Sequence, residues 1–93
     1  MSHPVTGKVS DKVVVELIEA DVDIGFALVD EAKAYRATGQ PKSSCRVLHD
    51  AEDIVADIER RLQRLGDPES APFHPLVTEL RNEIAAVERE PSI

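Results

Sequence analysis

Aromatic side chains are nearly missing from this sequence: they make up 3% of 93 residues, and tryptophan is absent. A core built from such a chain must be aliphatic, from Val, Ile, Leu and Ala. That favours helix-on-helix packing over an aromatic-lined ligand pocket. Cysteine is represented once, by Cys45, which rules out an internal disulfide. Positive charge is also scarce. Lys and Arg number 11 against 18 Asp and Glu, for a formal net charge of −7. A phosphate backbone needs a basic face, so no nucleic-acid partner is expected, and the same balance disfavours an anionic membrane surface. No run approaches the roughly 18 apolar residues of a membrane span, and Met1 to Lys12 has no apolar run of the signal-peptide kind. The expected location is cytoplasmic. The length suits one domain with a small core.

The clearest positive signal is a corner, Tyr35 to Ser43, containing Gly39 and Pro41. Glycine takes the left-handed conformation that ends a helix, and proline suits the first turn of the next. A first helix is predicted from about Asp11 to Thr38, with Ser10 or Asp11 as its N-cap. Val14, Leu17, Ile18, Ile24, Leu28, Ala32 and Tyr35 recur along it at helical spacing. Val13-Val14-Val15 has strand propensity, but the helical pattern runs through it and there is no second strand to pair with. A second helix is predicted from Pro41 to Leu65, with Leu48, Ala51, Val55, Ile58, Leu62 and Leu65 stepping by threes and fours. Gly66 is its expected C-cap, and Asp67 to Pro72 reads as a loop. A third helix is predicted from Pro75 to Glu88, with Phe73, Leu76, Val77, Leu80, Ile84 and Val87 along one face.

The expected fold is all-α, a three-helix up-down-up bundle built on a long helical hairpin. Residues 1–10 read as a flexible tail, 11–89 as the domain and 90–93 as a second tail. The hairpin seam is expected to pack Leu48, Ala51, Val55, Ile58 and Leu62 against Leu17, Ile24, Leu28, Ala32 and Tyr35. Apolar residues of that set left uncovered by the third helix would form a partner groove.

The hairpin from Leu28 to Ala51 resembles a single tetratricopeptide repeat. Ala32 and Ala51 fall on its small positions, Tyr35 on its aromatic position, Gly39 in its turn and Leu48 on a bulky packing position. Ser44 stands where that family carries alanine, and the second helix runs on past Ala56, where the family ends its own. No second copy follows. The resemblance implies peptide or protein binding.

Other groupings carry chemistry less directly. Glu16 with Glu19 and Asp50 with Asp53 are acidic pairs, each on one helical face, and hard oxygen ligands of this kind suit Mg²⁺. The pattern loosely resembles all-α nucleotide pyrophosphohydrolases and implies, as the alternative function, a divalent-metal-dependent enzyme. No grouped basic residues accompany the pairs to hold phosphates, so the expectation is a solvated acidic surface without metal or cofactor. Asp21 interrupts the apolar stripe of the first helix and reads as its edge, while Gly25 is a place where another helix could approach closely. His49 and Asp53 are expected to form an exposed pair, with His3 and His74 in loops. Cys45 reads as a small packing residue. Arg60, Arg61 and Arg64 complement the dipole at the end of the second helix, and they offer a basic end to the acidic first helix of another copy. The expected function is a small non-catalytic protein-interaction or scaffold module whose partner is another protein or a second copy in a homodimer.

Overall fold

A computed structural model describes residues 11–90. Three long helices, α1 (Asp11–Ala37), α2 (Pro41–Arg64) and α4 (His74–Arg89), enclose one aliphatic core, and a short helix α3 (Asp67–Ser70) lies between the last two. The fold is all-α, with α1 and α2 packed as a hairpin along their length.

The corner shows how local chemistry sets this topology. Gly39 has φ of 75°. The Gln40 amide donates to the Tyr35 carbonyl at 2.8 Å, and the Gly39 amide donates to Arg36 at 3.2 Å. These two bonds are the paired closure of a Schellman cap, which satisfies carbonyls that the helix end would otherwise leave open. Thr38 Oγ1 also donates to the Ala34 carbonyl. Pro41 then occupies the first turn of α2, where its missing N–H costs nothing.

The end of α2 departs from expectation. Leu65 is the C-cap, in extended conformation, and Gly66 precedes α3 instead of capping α2 with a left-handed turn. The stretch read as a loop is helical: α3 is followed by a 3₁₀ turn, Ala71–Phe73. Proline and glycine could not continue α2, but Pro68 and Pro72 each fall in the first turn of a new element. Phe73 is buried and anchors that connection.

Three contacts set the direction of α4. Lys33 pairs with Glu83 at 3.5 Å, and Arg36 Nη1 donates to the Glu90 carbonyl at 2.9 Å, so the C-terminal halves of α1 and α4 lie together. Arg81 pairs with Glu59 across the α2–α4 seam. The order is up-down-up. Glu90 is thereby tied to the bundle, whereas the predicted N-terminal tail, with Ser10 and His3, and residues 91–93 lie outside the described residues. Among the described residues no helix is long and apolar enough to cross a membrane.

The core contains Val14, Ile18, Val22, Val29 and Ala32 from α1, the α2 seam, and Phe73, Val77, Leu80, Ile84 and Val87 near and along α4. Leu76, predicted on that last face, is instead outside the core and 37% exposed. Gly25 is the place where α4 meets α1. A Cβ there would lie 2.6 Å from a methyl of Leu80, a fully buried side chain. The glycine costs α1 roughly 1 kcal/mol in propensity and creates the hollow that Leu80 fills.

Candidate functional site

Of the residues predicted for the hairpin seam, α2 supplies all of its own: Leu48, Ala51, Val55, Ile58 and Leu62 are buried. On α1 only Ala32 is fully buried. Leu28 and Tyr35 are partly buried at the edge. Leu17 and Ile24 are not in the seam. They remain 43% and 47% exposed, whereas Ile18, one residue along from Leu17, is 0% exposed. The reason is geometric. α1 carries two apolar stripes, and a helix can turn only one of them fully toward the other two. The stripe Val14, Ile18, Val22, Gly25, Val29, Ala32 faces inward. Leu17, Ile24, Leu28 and Tyr35 follow a second line, displaced around the helix by about a quarter of a turn.

This second stripe is the candidate site. Leu17, Ile24 and Leu28 are separated by seven and four residues, with Ala20 and Ala27 between them, both exposed. α4 packs on the opposite flank of α1, where Val15, Val22, Phe73 and Leu76 line a shared depression. Beside the stripe, Val47 and Ile54 of α2 are partly buried against the core. The antiparallel register marked by the Asp21–Arg61 ion pair puts Ile54 near the level of Leu28, and Val47 near that of Tyr35. Together they form an apolar strip along one side of the hairpin that α4 does not reach.

Asp21 lies at the edge of the inner stripe, as read from the sequence, and its side chain is 17% exposed. Its partner Arg61 comes from the same chain, so this arginine of the basic cluster is engaged intramolecularly, as is Arg60 with Asp57. Glu16, Asp23 and Asp30, at seven-residue intervals on the outer surface of α1, are exposed and form no ion pair among the described residues.

The remaining sequence candidates lie elsewhere. His49 Nδ1 and Asp53 are 3.7 Å apart on the exposed face of α2. Cys45 is exposed and does not fill the packing role read for it; Ser44, its neighbour, is the buried small residue at the crossing. His74 opens α4 and is exposed. The acidic pairs proposed as a metal site do not meet. With Asp21 opposite Arg61, Glu19 and Asp53 are about three helical turns, ~15 Å, apart along the bundle. Among the described residues no three His, Cys, Asp or Glu side chains converge in a way that could hold a metal ion.

A second hollow, about 240 Å³, lies between α2 and α4 over Val55 and Ile84, with Glu52 and Glu88 at one end and Glu59 and Arg81 at the other. Hydrogen bonding to Glu88 raises the Glu52 carboxyl above the usual carboxylate range, with burial and the Glu88 charge adding to it and His49 opposing. It has no nucleophile, basic cluster or convergent donor set. No family model matches the chain, and neither a curated protein nor a solved structure matches it.

Proposed function

We propose that this chain is a small non-catalytic helical module for protein interaction, with the outer stripe of α1 as its contact surface. One observation carries this reading: Leu17 and Ile24 stay open to solvent on a helix whose inner face is already fully covered by its own chain. Neither residue contributes to the core, so their apolar character has no folding role to explain it. Apolar side chains aligned at heptad spacing on one exposed line are what helix-in-groove recognition uses. The buried seam of α2 and the core of α4 cover the inner face of α1 and leave that line turned outward. The tetratricopeptide-like corner points the same way, since that family binds peptides and proteins.

A photo-crosslinking amino acid at position 24, compared with one at the exposed Asn82 of α4, tests the reading in cells. Discrete adducts at position 24 and none of the same mass at position 82 are expected. No adduct at position 24, or identical adducts at both, would refute it.

A further inference from the structure

We infer that the outer stripe of α1 takes a partner of one particular chemistry: an amphipathic helix whose apolar line is flanked by lysine and arginine. This rests on the interaction reading above and specifies the occupant.

The shape of the occupant follows from the spacing. From Leu17 to Tyr35 the stripe rises about 27 Å along a straight helix, and its heptad repeat matches the repeat of a second helix laid alongside. A segment of about 18 residues covers that length. Ala20 and Ala27, exposed within the line, leave room for close approach of another helix. An extended peptide finds no counterpart, because no strand edge exists among the described residues.

The charge of the occupant follows from the rims. Between Lys12 and Lys33, α1 has no basic residue, and it carries Glu16, Glu19, Asp21, Asp23, Asp30 and Glu31. Of these, only Asp21 is neutralised by a partner among the described residues. Glu31 stands within the line of the stripe, and the Glu16, Asp23, Asp30 row flanks it. A second copy laid antiparallel, α1 to α1, on this stripe would set those rows against each other, a parallel one would set Glu31 against its own counterpart, and like charges facing across a contact oppose association. On α2, Arg61 is taken up by Asp21 and Arg60 by Asp57, and Arg64, level with Leu17 at the end of the stripe, is the cation left there without an ion pair among the described residues. Lysine and arginine beside an incoming apolar line would instead meet the unpaired Glu16, Asp23 and Asp30 along its outer flank.

Fluorescence anisotropy with the full chain tests this. Three synthetic helical peptides of three heptads serve as probes: Leu at the heptad positions with Lys and Arg flanks, the same line with Glu flanks, and a shuffled basic peptide of equal composition lacking the line. The basic amphipathic peptide should bind, and the Glu-flanked one should not. Leu17→Ser with Ile24→Ser should weaken binding by about tenfold or more with unchanged circular dichroism. Glu16→Gln, Asp23→Asn and Asp30→Asn together should weaken it and flatten its salt dependence. Equal binding by the shuffled peptide, or indifference to Leu17→Ser with Ile24→Ser, would overturn the inference. So would equal binding by the Glu-flanked peptide. Light scattering on a sizing column separates the remaining case: a dimer that Leu17→Ser with Ile24→Ser converts to monomer would make a second copy the occupant. That result would overturn the basic-helix partner while leaving the interaction reading standing, whereas failed crosslinking at position 24 would remove the reading itself.

Discussion

The two apolar stripes of α1 have similar side chains and opposite fates. Ile18 and Val29 are fully buried, while Leu17 and Ile24 are nearly half exposed. Burial here is decided by position on the helix and not by hydrophobicity. α2 and α4 approach α1 from one side, and what each stripe stabilises differs accordingly: the inner one the fold, the outer one, at Leu17 and Ile24, little within the chain. Substitutions on the two lines should therefore separate stability from association.

The largest effect belongs to the shared core. Val55 is 4% exposed, and Val55→Asp would place a carboxylate among aliphatic side chains, where the Arg81 that shares its hollow is already paired with Glu59. Such a charge costs several kcal/mol, a large part of the 5–15 kcal/mol that holds a typical domain. Loss of the cooperative helical melt by circular dichroism is the expected outcome, and a melting temperature equal to the parent's would break the core assignment.

Next comes the direct comparison. Ile18→Ala should destabilise by about 2–5 kcal/mol, since it empties a filled site. Ile24→Ala should change stability by less than about 0.5 kcal/mol, because an exposed side chain is lost and alanine favours helix. Urea denaturation of the two variants gives the difference. Similar losses for both would mean that the outer stripe is covered by the chain itself.

Two smaller changes near the helix crossings should have opposite signs. Gly25→Ala gains helix propensity but drives a methyl into buried Leu80, and overpacking costs about 1–3 kcal/mol, so net destabilisation is expected. Ser44→Ala should stabilise by about 1 kcal/mol, because Ser44 is fully buried and its Oγ has no hydrogen-bond partner among the described residues. Thermal melts of both variants check the pair. A stabilised Gly25→Ala would mean that α4 does not press on α1 at this point.

How much of this was legible beforehand differs between the helices. α2 has polar residues on all sides but one, so its seam could be read directly from the step pattern. α1 is apolar around much more of its circumference, and the period alone does not say which of two lines faces inward. The discriminating signal was present in Gly25 and Asp21. A glycine in mid-helix marks the side where a neighbour comes close, and it lies in line with Ile18, Val22 and Val29 instead of Ile24. Asp21 marks the border between the lines, where Arg61 from α2 reaches it. The helical turn after α2 is hidden in the sequence because proline breaks a helix it interrupts, whereas Pro68, in a first turn, starts one. The outer stripe was visible as residues but not as a surface, because exposure depends on where α4 lands.

The smallest expected effect lies on the other side of the molecule, where α2 and α4 meet. Glu52 and Glu88 share a hydrogen bond there, which favours the protonated form of Glu52 and raises its pKa. A carboxyl whose pKa is higher folded than unfolded binds its proton more tightly in the native state, so its contribution to stability is present below the ordinary carboxylate range. That contribution is lost as pH rises through the raised value. Most acidic groups in native proteins behave in the opposite sense. Glu52→Gln keeps a donor for Glu88 without the charge, and it should melt slightly higher than the parent at neutral pH and equally near pH ~4, below the ordinary Glu value. The α1 stripe has no such dependence built into its own packing, so the same substitution should leave association at Leu17 and Ile24 unchanged. A shift in peptide affinity with Glu52→Gln would show instead that the α2–α4 groove and the outer face of α1 act as one surface.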